Sequence, residues 1–122
     1  MHSDHADRIA ARRILVVEDE YLIAADLARQ LEAAGVEVLG PVPTVAAALD
    51  LLARTSDVDG AVLDVNLRGE NVLPVAATIR ERGIPFVFAT GYDKLALPGE
   101  YAGSRWCQKP VDVSQVLTLL FD

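Results

Sequence analysis

An acid pair, Glu18-Asp19, a lone acid, Asp64, a hydroxyl, Thr90, and an ammonium, Lys109, each stand at the end of a different expected strand. Asp64 comes directly after Ala61-Val62-Leu63 and is followed by a turn containing Gly69. A run of this kind reads as a strand buried on both faces of a parallel sheet, with Asp64 at its carboxyl end, where open α/β sheets bind ligands. An ionised carboxylate there is costly unless something pairs with it. Like charges ~4 Å apart repel by about 4 kcal/mol at an effective dielectric of about 20, so a trio of acids needs a cation. Hard oxygen ligands with open positions favour magnesium, which takes one or two carboxylates together with a phosphate. Thr90 adds a hydroxyl donor and Lys109 a point charge suited to phosphate. The chemistry of such a set is metal-assisted handling of a phosphoryl group.

The elements that must position these residues alternate along the chain. Arg13–Val17 reads as the first strand, and a helix follows with Ile23, Leu27, Leu31 and Ala34 on one face, closed by Gly35. Val36–Leu39 reads as a second strand that Gly40-Pro41 ends. Thr44 caps a helix bearing Val45, Ala48, Leu49 and Leu52, and the strand leading into Asp64 comes next. A third helix is expected over Asn71–Arg82, with Val72, Val75, Ala76 and Ile79 inward, Pro74 in its first turn and Gly83 at its end. Ile84–Ala89 is the fourth strand and Ala102–Cys107 the fifth. Asp112 and Gln115 suggest a capping box for a last helix holding Val113, Val116, Leu117 and Leu120. Between the last two strands, Asp93–Tyr101 has room for about two turns of helix, and Pro98 cuts them short. That fourth helix is expected to be short or disordered. Five strand–helix alternations imply a doubly wound parallel sheet of order 2-1-3-4-5, whose switch point lies between the strands ending in Glu18-Asp19 and Asp64.

At 122 residues, 52% of them hydrophobic, the chain is expected to form one globular domain. Eighteen acidic against eleven basic residues give a formal net charge of −7, which opposes binding of nucleic acid through its phosphates. The single cysteine, Cys107, lies in an apolar run and reads as a buried thiol in a reducing compartment. No apolar run approaches the roughly 18 residues of a membrane span, and Met1–Arg13 has no signal-peptide core. A cytoplasmic protein, monomeric or weakly dimeric, is expected. Residues 1–11, with His2 and His5, read as a disordered tail without the second shell a metal site needs, ahead of a domain over 12–122.

From Arg13 to Asp122 the chain resembles the receiver domains of bacterial two-component response regulators, which have the flavodoxin-like (βα)5 fold. The pattern is Glu18-Asp19, Asp64, Thr90 and Lys109-Pro110 at successive strand ends. It is also similar to the subgroup named for a Pro-Phe-x-Phe-Ala-Thr-Gly-Tyr motif, present as Pro85 to Tyr92 and associated with HWE-type histidine kinases. The resemblance implies that Asp64 takes a phosphoryl group from the phosphohistidine of a sensor histidine kinase. Asp19, Asp64 and the Asn66 carbonyl would ligate Mg2+, with Glu18 acting through a water. Lys109 would pair with Asp64 and then with the phosphoryl group, and the bond before Pro110 would be cis. Glu18 replaces the more usual Asp. The resemblance also implies a switch. The Thr90 hydroxyl moves toward the phosphoryl group and an aromatic on the fifth strand follows, here Trp106. This re-forms a partner surface from the fourth strand, fourth helix, fifth strand and last helix, read by a phosphotransfer or output protein. Tyr92 is a second candidate, placed to shield the acyl phosphate from water.

Rival readings fit less well. A haloacid-dehalogenase-type phosphatase wants a second Asp where Asn66 stands. A nucleotide or flavin module lacks a Gly-rich loop after the first strand, where Glu18-Asp19-Glu20 would repel phosphate. A receiver-like module that only binds partners has no need of the complete set of phosphorylation residues. The chain is expected to assist its own phosphorylation without being a turnover enzyme.

Overall fold

The apolar runs assemble into a five-stranded parallel sheet, and a computed structural model describes residues 11–91, 99–101 and 103–121 of the chain. The strands are β1 (Arg13–Val17), β2 (Glu37–Val42), β3 (Gly60–Asp64), β4 (Phe86–Thr90) and β5 (Trp106–Gln108). Their order is β2-β1-β3-β4-β5, as the alternation of elements predicts. The helices are α1 (Tyr21–Ala33), α2 (Val45–Arg54), α3 (Leu73–Glu81) and α4 (Val113–Phe121).

Strand residues alternate between two apolar layers, because successive side chains leave a strand on opposite faces. Leu15, Val17, Ala61, Leu63 and Phe88 meet Ala48 and Leu52 of α2 and Val75, Ala76 and Ile79 of α3. Ile14, Val16, Val62, Val87 and Cys107 meet Leu27 and Leu31 of α1 and Val116, Leu117 and Leu120 of α4. All of β3 is buried, and Gly60 at its start lies so close to α4 that a Cβ would come within 3.2 Å of the Leu120 side chain. Every residue that carries Asp64 forward is thus fixed from both sides.

Several boundaries differ from the sequence expectation. β2 does not stop at Leu39 but continues through Gly40-Pro41 to Val42. As an edge strand it tolerates the missing proline N–H, and a register shift opposite Leu15–Val17 absorbs the irregularity. Gly40 has φ 94°, and a Cβ there would lie 2.8 Å from the Val42 nitrogen, so only glycine fits. The Gly40–Pro41 bond is cis. α3 starts at Leu73 rather than Asn71, because Glu70–Asn71 pairs antiparallel with Asn66–Leu67 in a short hairpin. Asn71 still serves the helix, accepting from the Leu73 N–H at 2.9 Å. β4 runs over Phe86–Thr90 instead of Ile84–Ala89, and β5 over Trp106–Gln108 instead of Ala102–Cys107. Residues just before β5 turn instead, with the Ser104 N–H donating to the Tyr101 carbonyl at 3.0 Å. At α4, Asp112 Oδ1 accepts from the Ser114 N–H at 2.9 Å, in place of the expected box with Gln115.

Of the expected fourth helix, Gly99–Tyr101 is a single 3-10 turn, and residues 92–98, Tyr92 among them, lie outside the described residues. Residues 1–10 of the expected tail lie outside them as well. Among the described residues, no helix is long and apolar enough to cross a membrane.

Candidate functional site

Strand ends β1 and β3 are neighbours in the sheet, so their terminal acids share one crevice. Glu18 and Asp64 are buried, and the Asp19 side chain is only 9% exposed. Each of the three offers a carboxylate oxygen, and these atoms lie within 4.8 Å of one another. Glu18 is tied down locally: its N–H donates to the Val42 carbonyl at 3.0 Å, and its Oε2 accepts from the Glu20 N–H at 3.1 Å.

Lys109, at the end of β5, reaches both buried acids. Its Nζ lies 2.9 Å from Glu18 Oε1 and 3.1 Å from Asp64 Oδ1. The Lys109–Pro110 peptide is cis. Burial alone would push the ammonium pKa down, but Glu18 and Asp64 outweigh it and hold the pKa above its ordinary value. Glu18 is thus paired with the lysine as well as Asp64.

The two oxygens of Asp64 have unlike surroundings. Oδ1 accepts from the Asn66 N–H at 3.0 Å as well as from Lys109. Oδ2 is buried with no hydrogen-bond partner. Burial pushes the carboxyl pKa up, the Asn66 N–H pulls it down, Glu18 raises it again and Lys109 lowers it, leaving it at about 7. A buried oxygen without a partner is expensive unless something else satisfies it. A divalent cation could do so, and the all-oxygen donor set of Glu18, Asp19 and Asp64 fits a hard ion such as magnesium.

Beside the acids, an open cavity of about 240 Å³ is lined by Glu20, Asn66, Thr90, Gly91 and Lys109. Thr90 is buried at the end of β4, and its carbonyl accepts from the Lys109 N–H at 2.9 Å. Trp106 stands opposite Phe88 in the β4–β5 ladder, on the same sheet face as Thr90, and packs half-buried against the α2–α3 core layer. The structure therefore brings Glu18, Asp19, Asp64, Asn66, Thr90 and Lys109 to one end of the sheet and leaves Trp106 two residues lower on that face. Cys107 is buried on the opposite face, where burial pushes its thiol up to about 11.

Sequence reasoning missed two residues. Arg68, in the hairpin turn, places Nε 2.9 Å from Asp19 Oδ2. Tyr101 is buried, edge-on to Phe88 at 5.8 Å between ring centroids, with the Arg80 guanidinium 4.2 Å from its own ring centroid. No spacing in the sequence signals the reach of Arg68. An aromatic beside Pro98-Gly99 was the available hint for Tyr101.

Comparison with known proteins agrees with this arrangement. The family described as the response regulator receiver domain matches residues 14–120. The solution structure of SdrG from Sphingomonas melonis Fr1 is similar at 40% identity and TM-score 0.79, covering 92% of this chain and 98% of that one. The BeF3-activated conformation of SdrG is similar at 40% identity and TM-score 0.79, covering 93% of this chain and 98% of that one. The transcriptional regulatory protein PdtaR of Mycobacterium tuberculosis is 28% identical over 116 residues, which are 92% of this chain and 56% of PdtaR. The chain thus spans about half the length of the curated relatives it matches. With the doubly wound sheet, the acid trio and the strand-end lysine all in place, the chain belongs to the response regulator receiver domain family.

Proposed function

We propose that this receiver accepts a phosphoryl group from the phosphohistidine of a sensor histidine kinase onto Asp64. The observation that carries the proposal is the asymmetry of that carboxylate: Oδ1 is anchored by Lys109 and Asn66, while buried Oδ2 has no partner. An Asp64 oxygen forms a bond to phosphorus as the phosphorus–nitrogen bond of the donor breaks. The imidazole nitrogen leaves with the bonding pair and takes a proton from solvent, so an acyl phosphate and a neutral histidine result.

Phosphoryl transfer asks the protein mainly for positioning and charge neutralisation. Lys109 supplies both, keeping Asp64 in place beforehand and meeting a phosphoryl oxygen afterwards. The Thr90 hydroxyl donates to another phosphoryl oxygen, and this draws the residue toward Asp64. Asp19, Asp64 and the Asn66 carbonyl, with Glu18 beside them, would hold a magnesium ion, which would supply the remaining positive charge.

The Pro85–Tyr92 stretch supports placement in the Pro-Phe-x-Phe-Ala-Thr-Gly-Tyr subgroup, and with it an HWE-type kinase as donor. Thr90 and Trp106 on one sheet face support a switch read out by a phosphotransfer or output protein in the cytoplasm. We assign Asp64 the role of a stoichiometric phosphoacceptor rather than that of a turnover catalyst. The test is labelling by a phosphorylated kinase or by acetyl phosphate. Label is expected with Mg2+, lost with a chelator and lost in Asp64→Asn. Label that persists in Asp64→Asn would move the acceptor elsewhere.

A further inference from the structure

The acid crevice holds a second cation besides Lys109. Arg68 and Gly69 form the two-residue turn between Asn66–Leu67 and Glu70–Asn71, with φ of 44° and 87°, the pattern of a type I′ hairpin turn. A bulky side chain at positive φ is uncommon, and Asn or Gly is the usual occupant. The hairpin itself is anchored: Leu67 and Val72 are buried, and Glu70 Oε1 accepts from the Val45 N–H at 3.2 Å. From this fixed turn Arg68 extends its guanidinium over the site, 77% exposed, onto the 9% exposed Asp19 carboxylate. Among the described residues, Arg68 is the ion-pair partner of Asp19. Lys109 is engaged with Glu18 and Asp64 instead. The three acids are thus shared between two side-chain cations that approach from different sides.

We infer that Arg68 is a built-in competitor for the metal: it holds Asp19 while the site is empty of cation and must release or share that carboxylate when a divalent ion binds. This inference rests on the reading of Glu18, Asp19 and Asp64 as a metal site. Arg68 sets the metal concentration at which the site fills. The pair is exposed on the arginine side, so its hold is modest and screened by salt. That scale makes it a tuning device rather than a block.

The test is Mn2+ binding followed by electron paramagnetic resonance, and Mg2+ binding by calorimetry, on the full chain. Arg68→Asn suits the turn and removes the charge. Its dissociation constant is expected to fall by roughly two- to five-fold, the range set by loss of an exposed ion pair. Arg68→Lys should stay near the wild type, and raising the salt should narrow the gap between wild type and Arg68→Asn. Arg54→Gln removes a positive charge from the Asp50 pair on α2 and controls for net charge. Unchanged or weaker binding in Arg68→Asn overturns the inference, as does an equal gain in Arg54→Gln. Absence of Mn2+ binding in wild type and Arg68→Asn alike overturns it together with the metal reading. Phosphoryl labelling at saturating Mg2+ separates the two ideas: normal labelling with unshifted affinity removes only the role of Arg68, and shifted affinity without labelling removes only the phosphoacceptor.

Discussion

The two ends of the sheet treat charge in opposite ways. At the amino end, charged groups are paired and face solvent. The Arg13 N–H donates to Asp59 Oδ2 at 2.8 Å, and the Arg13 side chain meets Glu37 at 3.1 Å and the Asp57 carbonyl at 3.2 Å. Arg82 donates to the carbonyls of Leu52, Thr55 and Ser56 at 2.8, 2.7 and 3.1 Å, closing the carboxyl end of α2. At the carboxyl end the acids are buried and crowded, and among the described residues Asp64 Oδ2 is left without a partner. One end spends its ions on local order in water. The other keeps them where dielectric screening is weak, so that an arriving cation or phosphoryl group changes the energy most.

The largest effect that would break this contrast is at Lys109. Lys109→Met strips a cation from two buried acids, and loss of one member of a buried pair costs about 3–5 kcal/mol. Urea unfolding should show a loss on this scale at neutral pH, and a loss under about 1 kcal/mol would mean that the carboxyl end is wetter than its burial implies. A second test is pH. Burial first, then Glu18, raises the Asp64 carboxyl from 3.8 to about 7 despite Asn66 and Lys109. An acid raised on folding binds more protons folded than unfolded, so metal-free stability should fall as pH climbs from about 4 to about 7. Melting temperature should therefore drop across that window, Asp64→Asn should flatten the slope, and Mg2+ should stabilise most at its upper end. A profile that rises instead would remove the strained-acid picture.

Arg82→Ala leaves three carbonyls short of a charged donor and should cost about 1–3 kcal/mol, without altering metal affinity. A shift in metal affinity there would show that the two ends are coupled. The smallest effect is expected from Glu37→Gln, whose carboxylate is exposed and whose loss should stay under about 0.5 kcal/mol in a thermal melt. An effect above 1 kcal/mol or so at Glu37 would erase the distinction between the ends.

What the sequence made legible follows the same division. The apolar runs Ala61–Leu63, ending in Asp64, and Ile14–Val17, ending in Glu18-Asp19, specify buried strands, because a continuous apolar segment has few other places to go. Their order follows from alternation with helices, and the order brings the acids together. Local exceptions were not legible. Pro41 reads as a strand end because proline lacks a donor, yet β2 is an edge strand and needs none there. For β5 the expectation starts too early: Gly103, Ser104 and Arg105 break the apolar pattern, and the ladder to β4 begins only where Trp106 faces Phe88. Arg68 was out of reach for a different reason: its contact with Asp19 depends on positive φ in a turn, and a charge's destination is not written in its neighbours.

The peptide hydrogen bond from Lys109 to Thr90 ties the last turn of chain at β5 to the tip of β4. The hydroxyl and the ammonium are therefore mounted on one mechanical piece rather than on two independent loops. A displacement of the Thr90 backbone would reach the base of Lys109 through this bond.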